Sequence, residues 1–282
     1  MAIFKRPFFN PEEHRKKREM PEGLWIKCTA CSETIHMLEL SKNQRVCPVC
    51  GHHFQQAAHE RISHFLDANS FVETDPAMTS VDALQFSGPA SYTGRLETYR
   101  AKTGLNEAVV TGHGLLESRR VALSVMEFQF LAASMGSVVG EKITRNIELA
   151  TKEKMPVLIF CASGGARMHE GMLGLMQMVK TSGALARHAA AGLPYLAILT
   201  NPTTGGVTAS FATLGDVMIA EPNSMIGFAG PRVIKETTHQ NLPPGFQTAE
   251  FLQTRGLIDL IVHRHQMRAT VALVLDYLCA RA

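Results

Sequence analysis

Phe160-Cys161-Ala162-Ser163-Gly164-Gly165-Ala166-Arg167-Met168 is the stretch on which the fold turns: an apolar run that breaks at a glycine pair and resumes at helical spacing. Met155 to Ala162 reads as an interior strand, and Met172, Leu175, Met176 and Val179 recur as on one helix face. The glycine pair therefore marks a strand-to-helix turn. Such a turn exposes backbone N–H groups, and residues without Cβ let a ligand approach them closely. An oxygen carrying negative charge suits that position.

The pattern recurs downstream. Pro194 to Thr200 is a second apolar run, followed by Asn201-Pro202-Thr203-Thr204-Gly205-Gly206-Val207. Either pair alone is read most simply as a tight turn; two of them can face one pocket. Neither fits G-x-G-x-x-G or the phosphate loop ending in G-K-[ST], so nucleotide cradling is unsupported.

The chain has 282 residues, 45% of them hydrophobic, enough to bury a substantial core, and its length suits a main domain with a small one. Its net charge of +3 is too slight to imply a nucleic-acid partner. Neither a secretory h-region nor an apolar run of membrane-spanning length is present, which leads to the expectation of a cytoplasmic protein with no membrane association.

Cys28-Thr29-Ala30-Cys31 and Cys47-Pro48-Val49-Cys50 stand fifteen residues apart. Two C-x-x-C knuckles at that spacing match a tetrahedral Zn²⁺ held by Cys28, Cys31, Cys47 and Cys50, and four thiolates leave no open position, so the zinc is structural. A redox C-x-x-C is the competing reading, disfavoured by the second copy. His36, His52 and His53 are then expected as surface histidines. Cys161 and Cys279 lie in apolar surroundings as small hydrophobes.

Taken in order, residues 1–22 form a basic, flexible arm carrying His14-Arg15-Lys16-Lys17-Arg18, residues 23–56 the zinc ribbon, 57–75 a helical linker and 76–282 the large domain. The linker helix spans Ala57 to Asn69. Residues 70–104 are mixed, with turns at Pro76, Gly88, Pro89 and Gly94. Glu107–Leu116 and Arg119–Met126 read as a hairpin. A helix follows through Val139, Ile143, Ile147 and Ala150. Later come short strands at Asp216–Ala220 and Ser224–Phe228, a Gly- and Pro-rich segment to Gly245, a helix over Thr248–Arg255, a strand over Leu257–Val262 and a closing helix over Gln266–Ala280. Repeated strand-strand-helix units indicate an α/β body.

The Cys₄ ribbon, Ser163-Gly164-Gly165-Ala166-Arg167-Met168-His169-Glu170-Gly171, Asn201-Pro202-Thr203-Thr204-Gly205-Gly206-Val207, and Thr248-Ala249-Glu250-Phe251-Leu252 through Gly256-Leu257-Ile258-Asp259 together resemble the β subunit of the carboxyltransferase of bacterial and plastid acetyl-CoA carboxylase. The likeness runs from Trp25 to the C-terminus. It implies a crotonase-like superhelix of ββα units and transfer of a carboxyl group from carboxybiotin to acetyl-CoA, giving malonyl-CoA for fatty-acid synthesis. In the scheme drawn for the family, carboxybiotin releases CO₂, its ureido group takes the methyl proton, and the acetyl enolate attacks the CO₂. Carried over, the resemblance makes Gly164, Gly165, Gly205 and Gly206 the backbone donors to the thioester oxygen, and Ala166, Arg167, Thr204 and Val207 the acyl-CoA pocket. Arg167 is read either as a contact to a CoA phosphate or as a structural cap; Glu170 and Asp216 as acids or bases, or as helix-surface and turn residues.

The implied partners are the carboxyltransferase α subunit in an α₂β₂ assembly, the biotin carboxyl carrier protein and biotin carboxylase, the whole forming an ATP-binding complex. The run Met168 to Val179 is either ordinary core or adaptable packing at that interface. Two alternatives stay open: a stand-alone crotonase-type hydratase or isomerase, and a nucleic-acid-binding regulator acting through the ribbon and its basic arm.

Overall fold

The computed structural model describes residues 24–239 and 242–279; the basic arm lies outside them. The chain divides into two compact units, Met1–His52 and His53–Ala282. In the first, β1 (Trp25–Lys27) pairs antiparallel with β2 (Thr34–His36), and α1 (Met37–Lys42) follows, capped by the His36 imidazole, which accepts from the Leu38 N–H.

The second unit begins earlier than the large domain expected from sequence, so α2 (Ala58–Phe65) is part of it rather than a linker. There follow β3 (Val72–Thr74), α3 (Tyr92–Thr103), β4 (Val109–Leu116), β5 (Arg119–Met126), α4 (Ser137–Glu153), β6 (Val157–Ser163), α5 (Gly171–Ala190), β7 (Tyr195–Thr204), α6 (Gly205–Thr208), β8 (Val217–Ala220), β9 (Ile226–Gly227), α7 (Pro231–Thr238), α8 (Ala249–Thr254), β10 (Leu260–Ile261) and α9 (Arg264–Leu278). The sheet runs β10-β8-β7-β6-β5-β4-β3, with β9 extending the end of β7. β3, β4 and β5 are antiparallel neighbours; from β5 through β10 the pairing is parallel.

Alternation along the central strands builds a core on each face. Val157, Ile159 and Cys161 of β6, with Tyr195, Ala197 and Leu199 of β7, join the cluster that takes Tyr92 and Leu96 of α3 and Val139, Ile143 and Ile147 of α4. Leu158, Phe160, Leu196 and Ile198 point the other way, onto Ile62 and Phe65 of α2 and Met267, Val271 and Leu275 of α9. Removing a side chain such as Phe160 from so enclosed a place costs about 3–5 kcal/mol. β6 and β7 thus lie mid-sheet, buried on both faces, and their C-terminal ends are held rigidly.

Three features differ from the sequence reading. α3 and α7 fall in segments read as turns: α3 carries little apolar periodicity, and α7, although two-faced, is only eight residues long and lies in a Gly- and Pro-rich segment, too short a window for its period to register. The stripe Met172, Leu175, Met176 and Val179 is helical but faces outward, while Gln177, Thr181 and His188 of α5 are buried. His53 is buried rather than on the surface.

Candidate active site at two glycine turns

β6 and β7 pair in regular register to Cys161–Leu199, after which Ser163 stands opposite Thr203. The extra residues on β7 interrupt the ladder, and threonine hydroxyls replace its bonds. Thr200 and Thr203 donate to the Cys161 carbonyl at 2.8 and 2.9 Å, and Thr204 donates to the Ser163 carbonyl at 2.9 Å. Both strands then enter their glycine pairs side by side.

Gly165 (φ +114°) and Gly205 (φ +65°) occupy conformations that side chains resist. They also touch: a Cβ on Gly205 would lie 2.8 Å from the Gly165 Cα. Only glycine allows this approach. Three of the four glycine amides are already committed. Gly164 donates to the Ala132 carbonyl at 2.8 Å, Gly165 to the Ser163 hydroxyl at 2.9 Å and Gly205 to the Phe228 carbonyl at 2.9 Å. The N–H groups of Ala166 and Gly206 have no acceptor among the described residues, and a Cβ on Gly206 would meet the Ala166 nitrogen at 3.4 Å. Gly206 is buried and Ala166 exposed. Leaving a buried donor unpaired costs about 1–3 kcal/mol, so an oxygen from outside the chain suits this place.

Arg167 does not reach outward. Its side chain is 1% exposed. Nη2 donates to Glu107 Oε1 at 2.6 Å and to the Ser134 carbonyl at 2.8 Å, Nε to the Ser134 hydroxyl at 3.1 Å, and Nη1 to the Tyr92 hydroxyl at 3.1 Å. Burial opposes its charge, but Glu107 more than offsets this and holds the guanidinium above its ordinary value. The assignment of Arg167 to a CoA phosphate is therefore corrected: its donors brace the first turn from within. Glu170 is not on a helix surface either. It accepts from the Tyr92 hydroxyl and the Ser137 N–H, both at 2.6 Å, closing the bare N-terminus of α4. Burial pushes its carboxyl up; the hydrogen bonds from Ser137 and Tyr92 outweigh that and leave it below the usual range. Asp216 accepts from the Tyr195 N–H at 2.8 Å, a turn role.

Val207 is wholly buried in the core and Thr204 has its hydroxyl committed to Ser163, so neither side chain serves as a pocket wall. Glu107, Tyr92 and Ser134, which hold Arg167, escaped the sequence reading because they stand far from it in the chain.

In the first unit the four cysteine sulfurs lie within 4.8 Å of one another, with Cys28–Cys50 at 3.7 Å and Cys31–Cys47 at 3.8 Å. A tetrahedral ion with Zn–S bonds of about 2.3 Å requires sulfurs about 3.8 Å apart. The donor set fits a structural Zn²⁺.

A fold of this topology ending in paired amide-bearing turns defines a class, the carboxyl transferases: the family model described as carboxyl transferase domain matches residues 55–278, and that described as acetyl-CoA carboxylase zinc finger domain matches residues 25–50. Within that class the chain belongs to the acetyl-CoA carboxylase carboxyl transferase subunit beta family. The relative so named from Methylacidiphilum infernorum is 57% identical over 93% of this chain and 95% of its own length. The one from Opitutus terrae is 53% identical over 95% of this chain and 92% of its own. Among solved structures, the transcarboxylase 12S with methylmalonyl-coenzyme A bound superposes with a TM-score of 0.67 at 25% identity; the match covers 79% of this chain and 41% of the transcarboxylase chain.

The chain is thus a carboxyl-transferring enzyme, a reading favoured over both the hydratase and the nucleic-acid regulator. ATP binding, expected of the complex, belongs to another subunit. Among the described residues no helix is long and apolar enough to cross a membrane.

Proposed function

We propose that the Ala166 and Gly206 N–H groups are the donors that stabilise the acetyl-CoA enolate as this chain moves a carboxyl group from carboxybiotin to acetyl-CoA. The observation that carries this is that neither has an acceptor among the described residues where the two turns meet. Removing a proton from the acetyl methyl builds negative charge on the thioester oxygen. Fixed amides aimed at that oxygen need no reorganisation as the charge grows, and one such donor is worth about 10²–10³ in turnover. The nearby carboxylates are committed, Glu107 to Arg167 and Glu170 to Tyr92 and Ser137, so the base comes from outside these turns.

The partner reading is an α₂β₂ assembly in which the α subunit supplies the biotin side and is visited by the biotin carboxyl carrier protein, charged by biotin carboxylase. Its support is the outward face of α5 and the turn before it. Met168 is 74% exposed and Val179 63%, with Met172, Leu175 and Met176 exposed between them. A contiguous apolar stripe of this kind marks an interaction surface, and methionine adapts to its partner. We place the reaction in the cytoplasm, where reduced thiols can hold zinc.

Carboxyl transfer from malonyl-CoA to free biocytin, the reverse reaction, tests both readings. Transfer only when the α subunit is added supports them. No transfer in the mixture, with zinc bound and the α subunit independently competent, removes them.

A further inference from the structure

Beside the second turn lies an apolar cavity of about 420 Å³ to which the proposed carboxyl transfer gives no part. Met218 of β8, Ile226 of β9 and Phe251 of α8 wall it, and Thr208 brings it against α6. No lining side chain is charged. Phe228 and Leu257, 68% and 55% exposed, stand at its rim, so a solute has a way in. A cavity of about 150 Å³ with apolar walls takes benzene, so this one suits an occupant of about two rings or the equivalent chain.

One lining side chain is polar and unsatisfied. Gln247 is 7% exposed, and its Oε1 has no hydrogen-bond partner among the described residues. The orientation of the amide is fixed, because Nε2 donates to the Ala229 carbonyl at 2.8 Å. Nor can the group swing aside: it lies flat on the bare backbone of Gly227, where a Cβ would stand 2.3 Å from Nε2. The Gln247 backbone itself holds a left-handed φ of +64°, a conformation that costs about 1–3 kcal/mol and collects at ligand sites. A buried acceptor without a donor adds about 1–3 kcal/mol. Water answers this poorly, since it needs several polar partners, and the Thr208 and Thr213 hydroxyls already donate to the Thr203 and Thr208 carbonyls, both at 2.8 Å.

We propose that this cavity is a binding site for a neutral apolar molecule of about two-ring size that carries one O–H or N–H donor. Its body lies among Phe228, Phe246 and Phe251, and its donor meets Gln247 Oε1. A charged ligand is excluded, since nothing in the walls offsets its desolvation. The site is tied to the second turn, because the Phe228 carbonyl accepts from the Gly205 N–H and Gln247 holds the next carbonyl along, that of Ala229. An occupant therefore packs against the support of the turn that carries Gly206.

The probe is 1-naphthol, fused rings with a single O–H, and its control is 1-methoxynaphthalene, which keeps the rings but cannot donate. Both are titrated against the zinc-loaded full chain. Saturable binding of a single 1-naphthol per chain is expected, with the methyl ether about tenfold weaker for want of the hydrogen bond. Leu257→Trp, which sets a larger side chain into the rim from an exposed position, is expected to abolish binding; the comparison of the probes needs no variant to fold. Occupancy is expected to slow exchange of the Gly205 amide. Absence of saturable 1-naphthol binding, equal affinity for the two probes, or full binding by folded Leu257→Trp would overturn the site. A Gly205 amide indifferent to saturating 1-naphthol would overturn its tie to the turn.

Discussion

The two glycine turns arrive at the same place by different means. The first is held by charge: Arg167, buried and shared among Glu107, Tyr92 and Ser134, anchors the backbone just beyond Ala166. The second is held by neutral groups, with Thr203 and Thr204 hydroxyls tying β7 to β6 and the Phe228 carbonyl fixing Gly205. Each leaves one amide without an acceptor among the described residues. The placement of a donor therefore does not depend on one kind of support, but its sensitivity to mutation and acid does.

The largest effect is expected from Arg167→Met, which strands Glu107 without its cation; breaking a buried pair from one side costs about 3–5 kcal/mol. Denaturant unfolding of the zinc-loaded protein measures this, and a loss under 1 kcal/mol would show that the first turn is not braced by charge. Gly205→Ala comes next. It forces a side chain into a left-handed residue, at about 1–3 kcal/mol, and presses a methyl onto the Gly165 backbone, so both turns should be disturbed together. Exchange of the Gly164 and Gly165 amides follows this; protection as in the wild type would mean that the turns are independent. Thr204→Val, which removes one neutral hydrogen bond, is expected to cost about 1 kcal/mol on the same unfolding assay. The smallest difference is in pH. The Glu170 carboxyl lies below its unfolded value of about 4.3, so its contribution is complete above that value and is lost as pH falls through the lower folded one. Glu170→Gln should flatten the acid side of the stability profile, whereas Thr204→Val should leave its shape unchanged.

Much of this was legible in the chain. The apolar runs ending in Gly164-Gly165 and Gly205-Gly206 placed two mid-sheet strands, and the cysteine spacing alone located the zinc ligands. What stayed hidden were relations across the fold. Which amide is free depends on where Ala132, Ser163 and Phe228 offer their oxygens, and no local pattern carries that. Arg167 could be read as a ligand contact or as a structural cap, and the sequence could not decide between them because its carboxylate partner lies 60 residues away. The helical spacing on α5 was correct, but period gives a stripe without saying whether it faces in or out. There the polar residues Gln177 and Thr181 go inside and the methionines remain outside.

The most direct test replaces the Gly206 N–H by an ester oxygen, which removes the donor without adding an atom, with the same exchange at Gly164 as the control. The account predicts that the ester at Gly206 lowers carboxyl transfer by about 10²–10³, with zinc content and melting unchanged. The ester at Gly164, whose N–H serves Ala132, should cost about 1 kcal/mol of stability and leave turnover nearly intact. Turnover at Gly206 within about threefold of the wild type, far short of the loss of an oxyanion donor, would contradict the assignment of the free amides to the enolate.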